Sequence, residues 1–307
     1  MTRLAALAAL AALAVVAAGC GGSTKPPPKT TTSTARPPAR AHLTVARIGS
    51  LPQSFSKASA VALPDRQLMV LGGYTGNASL DTILAGPPSR LRVVGRLPQP
   101  THDAAAALLG GSVYLFGGGE SVSIPSVVRV DPRTGSTVEA PELGEPLSDL
   151  GAVAIGGRAY LVGGYTGAQF ATAILRYRPH GTAVTIARLP TGTRYAGVTA
   201  LGGTIYVAGG LTTAGATREV YAVSPGGSVR RIATLPAPED HAALAALGGT
   251  LYLVGGRRVL AIDPGSGKVS VAARLPAAFA DPTATAVGSR IVVTGGGTNG
   301  VWALTAA

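Results

Sequence analysis

The sequence predicts an all-β protein, a six-bladed β-propeller of four-stranded blades, on three observations. Glycine pairs closing an apolar run recur six times, a Leu-Pro marker keeps the same beat, and the two ends of the repeat array read as complementary parts of one unit. Repetition of one supersecondary unit at such a period is the signature of solenoids and propellers.

The glycine pairs are Gly72-Gly73, Gly117-Gly118, Gly163-Gly164, Gly209-Gly210, Gly255-Gly256 and Gly295-Gly296, spaced 45, 46, 46, 46 and 40 residues apart. Leu-Pro stands at positions 51, 97, 189, 235 and 275, and Leu143-Gly144 fills the slot between 97 and 189. Two independent markers in one period define six units.

Ahead of the repeats, Arg3 is followed by an uncharged, almost wholly apolar run to Ala18, then Gly19 and Cys20. A short apolar run ended by small residues reads as a signal peptide over residues 1–19, and the run is shorter than the roughly 20 residues of a membrane-spanning helix. Ala17-Ala18-Gly19-Cys20 resembles the lipobox of bacterial lipoproteins, which implies lipidation of Cys20 and an export route. As the sole cysteine, Cys20 would then leave no thiol for disulfide, metal or nucleophilic chemistry. Residues 20–41 are rich in Pro and Thr without hydrophobic periodicity, the composition of an extended disordered tether.

Residues 42–307 form the repeat domain. His42 to Pro52 matches a fourth strand with no first three before it. Within a unit the first strand is small and apolar, as in AAAALLGG and AALAALGG. An alanine run favours helix by propensity, but each is short, bounded by glycine and followed at once by a β-rich segment, so strand is expected. The second strand, SVYLFGG or TLYLVGG, follows through a glycine hairpin. The third ends in a turn written DPRTG or DPGSG. The fourth precedes Leu-Pro, as in AVTIARLP. Small residues suit the innermost strand, where blades converge. The last segment, VWALTAA, is a third strand without a fourth, so the N-terminal strand is expected to complete the C-terminal blade and remove its open edge.

These units are similar to kelch repeats, the family of the galactose oxidase central domain, marked by Gly-Gly at the end of the second strand. The resemblance covers the whole repeat domain and implies ligand binding on the face that carries the second-to-third-strand loops and the connections between blades. On that face, five residues beyond each Leu-Pro proline or its equivalent, stand Lys57, Asp103, Asp149, Tyr195, His241 and Asp281. Just before them come Ser56, His102, Ser148, Arg194 and Asp240. Symmetry should gather this set around one mouth of the central channel, as a ligand site or simply as solvated turn formers. The same face carries Tyr74, Tyr165, Arg257 and Arg258 in its loops; the repeated Tyr-Thr-Gly offers aromatic surface to a ligand or a turn whose Tyr packs on the next blade. Blade five lacks six residues there.

The net charge of +12, carried mostly by arginine, comes without the basic-aromatic clusters that stack bases, so nucleic acid is not an expected partner. Anionic lipid or wall polymer suits the charge better. No metal-ligand spacing, hydrolase elbow or phosphate loop is present, and no cofactor is expected. A copper-radical oxidase would need a cysteine crosslinked to tyrosine, and Cys20 is the only cysteine. The expected function is an exported, monomeric, lipid-anchored module binding a protein or glycan, an anionic one among them, with the membrane as second partner through Cys20. The alternative is a sugar mutarotase resembling the sialic acid mutarotases, with Arg194, Glu239 and His241 as carboxylate anchor, acid and base.

Overall fold

The computed structural model describes residues 42–307; the expected signal peptide, Cys20 and the tether lie outside the described residues. Blade one is β2 (Ser59–Leu63), β3 (Gln67–Leu71), β4 (Thr82–Gly86) and β5 (Arg92–Arg96), preceded by β1 (Leu43–Phe55). Blade two follows as β6 (Ala105–Leu109), β7 (Ser112–Phe116), β8 (Val127–Val130) and β9 (Thr137–Ala140). Blade three is β10 (Gly151–Ile155), β11 (Arg158–Val162), β12 (Ala173–Tyr177) and β13 (Val184–Arg188).

Blade four is β14 (Gly197–Leu201), β15 (Thr204–Ala208), β18 (Glu219–Val223) and β19 (Val229–Thr234), with a small hairpin of β16 (Leu211–Thr212) and β17 (Gly215–Ala216) inserted. In blade five, β20 (Ala243–Leu247) pairs with the first half of β21 (Thr250–Ile262), and β22 (Val269–Phe279) pairs with its second half. Blade six is β23 (Pro282–Val287), β24 (Arg290–Gly295) and β25 (Thr298–Ala306), completed by β1 in antiparallel register from Leu43↔Ala306 to Gly49↔Val301. The expected closure by one strand plus three is present.

The first strands of neighbouring blades touch in one closed circuit, β2, β6, β10, β14, β20, β23 and back to β2. Their spacing explains their composition. A Cβ on Gly151 would collide with Val198 of the next inner strand, and one on Gly197 with Leu244 of the next. The alternating burial of Ala105, Ala107 and Leu109 in β6 confirms strand over helix.

Among the described residues there is no single central core. Buried side chains form six separate clusters, one in each gap between adjacent blades. Each blade therefore buries both faces, which is why second strands such as β7 and β11 read as continuous apolar runs. The Leu-Pro leucines plug these gaps: Leu51, Leu97, Leu189, Leu235 and Leu275, with Leu143 in the sixth slot, are all buried. Amides of Leu97, Leu143, Leu189 and Leu235 also bond back to carbonyls preceding or opening the third strand of the same blade.

The glycine pairs join blades to one another. Gly72, Gly117, Gly163 and Gly209 sit near φ +60°, and a Cβ on each would overlap the carbonyl oxygen of Thr101, Leu147, Thr193 or Glu239 in the next blade's approach. The amide of the following glycine donates to that same oxygen at 2.8–2.9 Å. Blade five departs from this pattern, because Gly256 instead pairs with Phe279 across the β21–β22 ladder.

Candidate functional site

The site is built on the six residues that lead into the inner strands. Lys57, Asp103, Asp149, Tyr195, His241 and Asp281 all hold φ between +50° and +58°, a region that side chains other than glycine's enter only when their surroundings enforce it. Here the enforcement is a belt of backbone hydrogen bonds running around the axis. Lys57 N–H donates to Asp281 O, Asp103 to Lys57, Asp149 to Asp103, Tyr195 to Asp149 and Asp281 to His241, all at 2.7–3.1 Å. Only the step from His241 to Tyr195 lacks this bond, and there the two side-chain rings approach to 3.9 Å between centroids.

The preceding residues are clamped from outside. Ser56, His102, Ser148 and Arg194 form antiparallel bridges with Tyr74, Gly119, Tyr165 and Leu211 of their own blades' second-to-third-strand loops. Asp240 forms no such bridge among the described residues, because blade five has no separate loop at that place.

Two concavities meet at this belt. The axial channel holds about 180 Å³, lined by the six belt residues and the small side chains of the inner strands. A larger cavity of about 620 Å³ opens on the loop face over blades two to four, lined by Lys57, His102, Asp103, Ser148, Asp149, Arg194 and Tyr195 with the loops Gly119–Ser123 and Tyr165–Gly167. Lys57, Asp103, Asp149 and Tyr195 line both.

Most charges in the cavity are paired. Lys57 Nζ lies 3.0 Å from Asp103 Oδ2, and Arg194 Nη2 lies 2.5 Å from Asp149 Oδ2 and donates to Tyr195 Oη at 2.7 Å. The guanidinium carbon of Arg194 also lies 4.8 Å from the Tyr165 ring centroid, 5.4 Å from Phe170 and 4.4 Å from Tyr195, a three-ring cation–π enclosure. Ser148 Oγ donates to Asp149 Oδ2, and Ser123 Oγ shares a hydrogen bond with Ser148 Oγ. His102 Nδ1 bonds Ser79 Oγ at 2.8 Å. The Asp149 side chain is only 1% exposed, and its Oδ1 has no partner among the described residues; neither has Arg194 Nε, buried among the rings.

Proton affinities follow from this packing. Burial, with the neighbouring Asp103 charge second, pushes the Asp149 carboxyl up to about 6 against the pull of Arg194. Asp103 is also raised, by burial opposed by Lys57. Burial would depress the Lys57 ammonium, yet the Asp103 charge and hydrogen bond leave it raised overall. Tyr195 is pushed up to about 12, by burial and then by Asp103 and Asp149. His102 is lowered by burial and by Lys57, whereas His241 is raised by its 2.5 Å hydrogen bond to Asp281.

Of the remaining expected residues, Tyr165 lines the loop-face cavity and the others fall outside it. Tyr74 sets its ring 5.0 Å from His102 and Tyr165 sets its own under Arg194, so both loop tyrosines pack on the next blade's approach, and the Tyr165 hydroxyl is used by Gly167 O. Arg257 and Arg258 lie inside β21 rather than in a loop, because the shortened chain passes from second to third strand without one. Arg258 Nη2 holds Glu239 Oε1 at 2.8 Å. Glu239 is thereby turned to Arg258 and His241 to Asp281, and neither lines the loop-face cavity that holds Arg194.

Sequence reasoning did not single out Glu120 and Ser123 as site residues, since their second-to-third-strand loop, unlike those of blades one and three, carries no Tyr-Thr-Gly. It also missed the left-handed belt, although Asp and His, four of its six residues, are among the types that most readily adopt that conformation. Among the described residues no three His, Cys, Asp or Glu side chains gather closely enough to hold a metal ion.

Solved structures match the fold widely, 979 chains in all, so the match speaks for architecture. One of them, titled "Structure of YjhT", superposes with a TM-score of 0.70 at 15% identity, over 83% of this chain and 94% of that one. No protein-family model matches the chain, and no curated protein does.

Proposed function

We propose that the protein is an exported, lipid-anchored propeller of kelch type that recognises a protein or glycan in its loop-face cavity. The observation that carries this reading is the convergence of the six belt residues on one mouth, where it opens into a cavity of about 620 Å³ walled by hydroxyls, paired charges and buried rings. A glycan suits such walls best, because each ring hydroxyl both donates and accepts. Export and anchoring rest on the apolar leader and Cys20.

The reading is tested by screening the purified full chain against glycans and envelope proteins. Saturable binding without turnover is expected, weakened about tenfold or more by Arg194→Ala, which removes a charge-assisted anchor and its ring contacts. Cys20→Ala is expected to move the protein from the membrane to the soluble fraction. Accelerated sugar anomerisation lost in His241→Ala would instead establish the mutarotase alternative. Binding is preferred because Arg258 and Asp281 engage the Glu239 and His241 groups that such an enzyme would need on its substrate.

A further inference from the structure

The loop-face cavity is lined by three carboxylates, Asp103, Glu120 and Asp149, against two cations, Lys57 and Arg194. Its two cations, both partly buried, are engaged: Lys57 by Asp103, and Arg194 by Asp149, Tyr195 and three aromatic rings, which leaves Arg194 Nε, enclosed by those rings, without a partner among the described residues. On the acceptor side, Asp149 is among the residues lining the cavity, its side chain is almost wholly buried beside Asp103, and its Oδ1 receives no hydrogen-bond donor among the described residues. At the rim, the exposed Glu120 carboxylate forms no ion pair among the described residues. A carboxylate oxygen removed from water without a hydrogen bond is costly, and a ligand that supplies a donor recovers that cost. An anionic ligand would meet no free cation and two carboxylates.

Resting on the binding reading above, we propose that the cavity takes a hydroxyl-rich ligand carrying a protonated amine, such as an amino sugar, with Asp149 Oδ1 receiving the ammonium and Glu120 drawing it in from the rim. The ammonium supplies three donors, enough for Asp149 and the Ser148–Ser123 hydroxyls beside it. This choice runs against the anionic partners that the chain's net charge favours. The local field of the cavity, rather than the +12 of the whole sequence, is what a bound ligand meets.

Titration calorimetry of the purified full chain at pH 6.5, where the sugar amine carries its proton in substantial part, compares three tetrasaccharides: glucosamine, its N-acetylated form, and galacturonate. The glucosamine oligomer is expected to bind about tenfold or more tighter than the N-acetylated one, with galacturonate weakest. Asp149→Asn should bring the amine and N-acetyl affinities within about twofold of each other. Glu120→Gln, on an exposed loop where folding is not at stake, should reduce the amine preference about threefold. Equal binding of the amine and N-acetyl forms, or tightest binding of galacturonate, overturns the inference while the binding reading stands. Binding of none of the three, with other glycans also inert, removes the glycan reading and the inference together.

Discussion

Asp149 concentrates the opposing demands of the site in one side chain. Its carboxyl binds a proton more readily in the fold than in the unfolded chain, from an ordinary 3.8 up to about 6. A group raised in this way contributes stability that is fully present below pH 4 and is lost as pH rises through 6. We therefore expect the folded state to lose on the order of 2 kcal/mol between pH 4 and pH 7 through this residue, and Asp149→Asn to flatten that slope in denaturant titrations. An unchanged slope in the variant would refute the assignment. The glycines give a second comparison at the same scale. Gly117 and Gly248 share φ near +57°, but only a Cβ on Gly117 would strike a neighbouring carbonyl, while that on Gly248 meets open space. Gly248→Ala should cost about 1 kcal/mol, and Gly117→Ala about 3 kcal/mol or more; equal costs would show that the pair does not staple the blades.

Among the elements, β1 is the one on which closure depends. It alone pairs with the outer side of β25, through Leu43↔Ala306 to Gly49↔Val301. Removing residues 42–50 leaves an open sheet edge on blade six and uncovers part of the gap beside it. The deletion should abolish cooperative unfolding and promote aggregation, read by calorimetry and light scattering. A soluble monomer with an unchanged midpoint would mean that the propeller closes without this strand. Most of this level was legible in the sequence, because strand order in a propeller follows directly from the repeat, and HLTVARIGSLP shows its fourth-strand character by itself. The placement of Arg257 and Arg258 was not legible. A deletion of six residues looks the same in a sequence whether it shortens a loop or fuses two strands, and the backbone of β21 does the latter.

At the scale of the whole molecule, six interblade clusters arranged in a circle share one fate. No blade is terminal, so none can fray without exposing the two clusters at its sides. Phe116, fully buried between blades two and three, provides a test. Phe116→Ala should cost about 3–5 kcal/mol and lower the hydrogen-exchange protection of blade five along with that of blade two. Loss confined to blades two and three would reveal independent units instead. The ring of candidate residues was legible here from a fixed offset after Leu-Pro. Its internal pairing was not, since Lys57 reaching Asp103 and Arg194 reaching Asp149 depend on side-chain direction across blade gaps that periodicity does not encode.

The belt of amide-to-carbonyl bonds around the mouth has an electrical consequence. Peptide dipoles laid head to tail around a circle cancel as vectors, unlike those of a helix, which add along its axis. With five of the six links made, the circulating part of the belt's own dipoles largely cancels at the channel mouth. Attraction and repulsion at the mouth are thus left to side chains, and an exchange among residue types that tolerate the left-handed backbone, such as Asn for Asp, would retune the opening's charge while the frame beneath stays the same.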